Sequence, residues 1–349
     1  MADQRRQNMT NAPMARPGER PPEGVPRLGA VPTPRRLSRT APAALATALC
    51  YGAVQSYWAS GHAPSFGRLG TDLLVFPKWG AVALCAAAAV LAQALRTVSR
   101  KRTALLVAGW AVSGALLICC PFLLLDVVGS LIPGLRIPFD LTAFLSRTAC
   151  VSVAALLGAA TLSCRRRLWG DCPRCSRTGE PVPPNPSAPP PRWAWWAAYG
   201  AVASCWLRIM AQYGLGFGSP GPLTSPQAAS LAVFETGFVL AGTVLPLSLV
   251  HRWGRTFPRW VPPLAGRRVP RLLPLAPATG ISVGLLVYFG VGICQLVGET
   301  IHPVPHADSI PLSFLWVAMP AYWLWGLGLG AAALSYHYAT RRPCRHCNR

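Results

Sequence analysis

The chain has 349 residues, 52% of them hydrophobic and only 13% charged, with a formal net charge of +22. A soluble domain carries about 25% charged residues, so an ordinary water-exposed surface is excluded. The basic residues fall in short segments between long apolar runs, a pattern that sets membrane topology, so they face anionic lipid headgroups and not nucleic acid.

Residues 1–40 are rich in Arg and Pro and lack apolar periodicity, which predicts a disordered basic cytoplasmic tail. The stretch is too polar and proline-rich for a cleavable signal peptide. A helix needs about 20 mostly apolar residues to cross the hydrocarbon core. Eight segments meet that expectation, near 41–60, 77–95, 103–125, 142–163, 193–213, 230–250, 277–297 and 311–336. The expected fold is all-α: a polytopic membrane protein of eight transmembrane helices in two parallel four-helix repeats.

The loops set the orientation. Arg96–Arg102 reads RTVSRKR, and Cys164 is followed by Arg165, Arg166 and Arg167. A later loop carries Arg252, Arg255, Arg259, Arg267, Arg268 and Arg271, and the C-terminal tail carries Arg341, Arg342, Arg345 and Arg349. With eight spans these lie on one side with the N-terminal tail. The other loops, 61–76, 126–141, 214–229 and 298–310, hold few bases together with Asp72, Asp126, Asp140, Glu299 and Asp308. Both termini are therefore expected in the cytoplasm, with the chain in the plasma membrane.

The chain repeats itself. Gly158, Cys172 and Cys175 recur as Gly330, Cys344 and Cys347, all at an offset of 172 residues. Tyr51-Gly-Ala-Val54 recurs as Tyr199-Gly-Ala-Val202, Trp58 as Trp206, and Asp126 aligns with Glu299. The organisation expected is 41–175 as the first repeat, 176–192 as a Pro-rich linker and 193–349 as the second repeat, each ending in C-x-x-C. Four spans return the chain to its starting side, so the copies run parallel about an axis near the membrane normal.

The first repeat carries Tyr57-Trp58-Ala59-Ser60-Gly61. This resembles the aromatic-Trp-Ala-x-Gly signature in the first helix of a group of small four-helix membrane proteins of unknown function from high-GC bacteria. The resemblance implies a tandem fusion of two such units, a fold without a stated activity. The second copy departs from it, with Cys205-Trp206-Leu207-Arg208 in its place.

Three sets of residues could carry chemistry. Cys172, Cys175, Cys344 and Cys347 lie after equivalent spans, and two C-x-x-C knuckles that meet supply the four thiolates of a structural zinc site. Such a site would staple one repeat to the other. His346 as a substitute ligand, a redox dithiol, and two unliganded reduced pairs are the alternatives. The other cysteines, Cys50, Cys85, Cys119, Cys120, Cys150, Cys164, Cys205 and Cys294, lie in or beside spans and read as packing.

Arg208 and Glu235 fall at similar depth in consecutive spans, which predicts a buried charge pair, either a binding element or a helix clamp. Arg147 is a third intramembrane charge. The outer loop holds Glu299, His302, His306 and Asp308, and His62, Asp72, Asp126 and Asp140 are expected on the same face. This set could bind a divalent metal or do acid–base chemistry, but an ordinary polar loop has the same composition.

No Walker-type loop, H-E-x-x-H or G-x-S-x-G occurs, so no catalytic residue is assigned. The functions consistent with this pattern are a carrier, permease or immunity-type component. A membrane enzyme using the outer His and carboxylate cluster, and a scaffold docking a partner through its C-x-x-C module, are the other readings.

Overall fold

The computed structural model describes residues 39–66, 71–98, 102–135, 137, 139–169, 189–215, 226–257, 265–302 and 311–340. The N-terminal tail, most of the linker and the four C-x-x-C cysteines lie outside these residues, as do His306 and Asp308.

The described residues are helical almost throughout, and their one β feature is an isolated bridge between Thr256 and Arg268. The helices are α1 (Thr40–Tyr57), α2 (Trp79–Thr97), α3 (Thr103–Ile118), α4 (Leu123–Leu131), α5 (Leu141–Trp169), α6 (Arg192–Gly214), α7 (Pro226–Val250), α8 (Leu272–Ile301) and α9 (Leu312–Ala339). Five of them, α2, α5, α7, α8 and α9, are long and apolar enough to cross a membrane, and α3 with α4 makes a sixth as one bent span. The other two expected spans, α1 and α6, are helical but less apolar. Thr40, Thr47, Gln55 and Ser56 dilute the first, and Arg192, Arg208 and Gln212 the second.

Local sequence explains the boundaries. Gly61 adopts φ 103°, a left-handed conformation that favours glycine, and there the π-helical turn Trp58–His62 after α1 ends. The glycine of the Trp-Ala-Ser-Gly signature is thus the residue that lets the chain leave its first helix. Asp140 caps α5, its Oδ1 accepting from the amides of Thr142 (2.8 Å) and Ala143 (3.3 Å). Pro246, Pro277 and Pro320 sit inside helices, as membrane helices tolerate.

Two boundaries correct the sequence reading. The third span does not run unbroken over 103–125. It stops at Ile118 and resumes as α4 at an angle of 47°, so Asp126 lies on a helix and not in a loop. Likewise α8 continues to Ile301, which puts Glu299 on its last turn.

The helices pack in two groups. In the first, the contacting pairs are α1–α2, α1–α5, α2–α3, α2–α5 and α3–α5. In the second they are α6–α7, α6–α9, α7–α8, α7–α9 and α8–α9. Small residues bring the axes close: Ala44, Ala48, Ala81, Ala88 and Ala92 in the first core, and Ala194, Ala198, Ala201 and Ala332 in the second. At Gly109, on α3, a Cβ would collide with Thr161 of α5. Large apolar side chains point outward instead, among them Val90 (68% exposed), Leu131 (75%) and Trp196 (79%). An all-round apolar exterior of this kind suits lipid and not water.

Both groups have a basic end and an opposite end. At the basic end Arg167 Nη2 donates to the carbonyl of Leu95 (2.6 Å), Tyr336 Oη donates to that of Gly254 (3.1 Å), and Arg271 Nη2 meets His337 Nδ1 (2.9 Å). The groups touch through the 133–135 turn against α7 and through α3 and α4 against α8, where Phe122 packs edge-on to Tyr288 at 6.3 Å and Leu124 rests on Gly284.

Candidate functional site

The opposite end of the first bundle holds a closed polar network. Arg147, one turn and a half into α5, is 1% exposed and Asp126 of α4 is 2% exposed. Arg147 Nη1 donates to both carboxylate oxygens of Asp126, at 2.6 and 2.8 Å. Its Nε donates to the main-chain carbonyl of Asp72 (2.8 Å) and its Nη2 to that of Thr71 (3.2 Å). The ring of Phe122 lies 5.4 Å from the guanidinium carbon.

The Asp72 carboxylate is occupied separately. Its Oδ2 accepts from Gln55 Nε2 and from Ser146 Oγ, both at 2.7 Å. Gln55 Nε2 also donates to Tyr51 Oη (2.7 Å), and Tyr51 Oη lies 2.9 Å from Ser146 Oγ. With Ser146 giving its proton to Asp72, Tyr51 donates to Ser146, so the chain of donors runs inward to one carboxylate. An intramembrane charge is costly unless paired or hydrogen-bonded: Arg147 and Asp126 pair with each other, and the Asp72 carboxylate is held by neutral donors. The network ties α1, α4, α5 and the 71–72 segment together.

The end of the second bundle away from its basic residues is built differently. α6 and α7 meet closely where Gly242 admits Cys205. Past that contact, toward Gly214 and Pro226, lies a groove of about 430 Å³ lined by Trp206, Arg208, Gln212, Glu235, Phe238 and Leu240, among others. Arg208 sits six residues before the end of α6, about 9 Å at helical rise.

Arg208 and Glu235 share this groove, but they do not form the expected pair. The ion pair among the described residues is Arg147–Asp126. Glu235 Oε1 accepts from Gln212 Nε2 at 3.0 Å. Arg208 stands over two aromatic rings, 5.2 Å from the centre of Phe238 and 5.5 Å from that of Tyr322. Those rings belong to a packed set: Phe238 meets Trp325 at 4.8 Å, and Tyr322 stacks on Phe289 at 4.0 Å. The aromatic floor keeps the guanidinium beside the groove without neutralising it.

Two polar atoms at this groove are buried without a hydrogen-bond partner, Arg208 Nε and Gln212 Oε1. Gln212 is 6% exposed. Its amide orientation is fixed by the carboxylate beside it: only the NH2 group can donate to Glu235, which leaves the oxygen as an unsatisfied acceptor. No family, curated protein or solved structure matches the chain. The site therefore stands on its own chemistry.

Of the outer-face candidates, Glu299 and His302 are exposed at the end of α8. His62 stacks on Tyr57 at 4.6 Å and its Nδ1 lies 3.3 Å from Ser60 Oγ. Asp72 and Asp126, expected on that face, are buried in the network instead. Among the described residues no three His, Cys, Asp or Glu side chains converge as a metal site. Six of the eight span cysteines are buried, whereas Cys50 and Cys294 are exposed on the helix surfaces.

Sequence reasoning missed Gln55 and Ser146 as donors to Asp72, Tyr51 as the hydroxyl between those two, and Gln212 as the partner of Glu235. The signal for Asp126 was present. It lies in Leu123-Leu-Leu-Asp-Val-Val128, a carboxylate among five aliphatic residues, which is not loop composition.

Proposed function

We propose that the protein is a non-enzymatic, carrier-like membrane protein of eight spans, in which the first bundle is a fixed scaffold and the second holds the ligand site. One contrast carries this reading. The first bundle pairs Arg147 with Asp126 and gives the Asp72 carboxylate hydrogen-bond donors, whereas the second keeps Arg208, Gln212 and Glu235 on an open groove with two polar atoms unmet. Unsatisfied polar groups in a membrane span cost free energy that a resting structural element would have no reason to retain.

The parallel four-plus-four arrangement is supported by the matching set of helix pairs in each bundle and by the shared 172-residue offset. The α3–α8 contact joins the third helices of the two proposed repeats, a contact compatible with a pseudo-twofold axis along the membrane normal. With α1 and α6 as spans shielded by their neighbours, the arginine-rich end faces the cytoplasm and both termini lie there. A structural zinc bound by Cys172, Cys175, Cys344 and Cys347 fits this arrangement, because α5 and α9 both reach their last turns at the basic end.

The test needs no substrate. Gln212→Cys in the otherwise unchanged chain should react with a membrane-impermeant maleimide in both right-side-out and inverted vesicles, above the wild-type background. Reaction from neither face, or from one face only, would contradict alternating access to the groove.

A further inference from the structure

We propose that the α6–α7 groove binds the headgroup of an aminophospholipid: a phosphate on Arg208 and a primary ammonium between Gln212 and Glu235. This deepens the carrier reading and rests on it for the site. Arg208 Nε is a buried donor with no acceptor, and its guanidinium is otherwise engaged by the faces of Phe238 and Tyr322. It needs an anion or acceptor, and guanidinium is well matched to phosphate oxygens.

Gln212 Oε1 is a buried acceptor with no donor, and Glu235 Oε1 already holds the amide NH2 of the same Gln212. The pair therefore needs a group that brings N–H donors and, next to a carboxylate, positive charge. A primary ammonium does both. A quaternary ammonium has no N–H to give, and a glycerol or sugar headgroup has no charge to pair with Glu235. The groove's own charges, one cation and one anion, sum to zero, which matches a zwitterion better than a purely anionic lipid.

The surroundings favour a lipid over a free zwitterion. Trp206 (45% exposed), Tyr213 (55%) and Leu240 (53%) border the groove on the outward surface of the helices. That rim is apolar and aromatic, the surface an acyl chain and its glycerol backbone would cover. A small polar solute would leave that rim uncovered.

The experiment measures thermal unfolding of the detergent-purified full chain with added lipid of matched acyl chains. Phosphatidylethanolamine should raise Tm more than phosphatidylcholine or phosphatidylglycerol, because each of those lacks one half of the match. Ligand present at about 100 times its Kd should stabilise enough to move Tm by several degrees. Glu235→Gln should remove the preference for ethanolamine over choline while leaving the response to phosphate. Gln212→Met provides a second variant with the same expectation should the first not fold.

Equal shifts from all three lipids, or an ethanolamine preference that survives both variants, would overturn the proposal. A shift given fully by soluble phosphoethanolamine, with no added effect of the acyl chains, would assign the site to a free zwitterion and overturn the lipid assignment. Ethanolamine-selective binding in a protein whose Gln212→Cys variant reacts from one face only would leave the lipid site standing and remove the carrier reading.

Discussion

Arg147 and Asp126 meet at 2.6 Å inside the first bundle, each almost wholly removed from solvent, and Asp126 sits just past the sharp bend between α3 and α4. The bend at Cys119–Phe122 is what aims Asp126 at α5. The pair therefore fixes the only interrupted span among the described helices.

Removing one member of such a pair leaves the other charged and alone. Asp126→Ala is expected to lower stability by about 3–5 kcal/mol, as for other buried ion pairs. Asp72→Ala, which strips acceptors from Gln55 and Ser146 but leaves Arg147 its carbonyl, is expected to cost about 1–3 kcal/mol. Unfolding curves of the two variants in one detergent check the order. A larger loss for Asp72→Ala would show that the hydrogen-bonded chain, and not the ion pair, holds this end together.

The tight crossing of α3 and α5 depends on a missing side chain. Gly109→Ala forces a methyl into Thr161, and overpacking of that kind costs about 1–3 kcal/mol. Gly200→Ala, where the added carbon meets nothing, is the control and should be neutral or slightly stabilising. Tm values for the pair of variants decide the matter, and equal shifts would mean that the crossing relaxes freely.

Cysteine exposure gives a third check. A lipid-soluble thiol reagent should modify Cys50 and Cys294 in the membrane well before Cys85, Cys119, Cys120, Cys150, Cys164 and Cys205. Peptide mapping by mass spectrometry reads the sites. Early labelling of Cys150 or Cys205 would mean that the bundle cores open readily.

Metal analysis addresses the proposed zinc site. Purified wild-type protein is expected to carry one zinc per chain, lost in both Cys172→Ser and Cys344→Ser. Zinc retained in either variant would refute a site shared between the repeats.

Much of the architecture could be read from the sequence because it depends on local composition. Apolar runs of about 20 residues specify helices regardless of their neighbours, so all the expected segments correspond to helices. What composition could not convey is which charges meet. Arg208 and Glu235 looked paired because their depths match, yet depth says nothing about the direction each side chain takes around its helix. Gln212, one turn beyond Arg208, reaches the carboxylate first, and Phe238 and Tyr322 offer the guanidinium another resting place. The Asp126 partnership was hidden for the opposite reason: it needs a bend, and Cys119-Cys120-Pro121 reads as ordinary span sequence apart from its proline.

The two bundles treat their charged side chains in opposite ways, and paired double-mutant cycles decide whether they do. Arg147→Met with Asp126→Leu, and Arg208→Met with Glu235→Leu, are each made singly and together, and unfolding free energies are measured in one detergent. The expected result is a coupling of about 2–3 kcal/mol for Arg147 with Asp126 and one within about 0.5 kcal/mol of zero for Arg208 with Glu235. Comparable couplings at the two sites would contradict the account, because the second bundle would then be as sealed as the first.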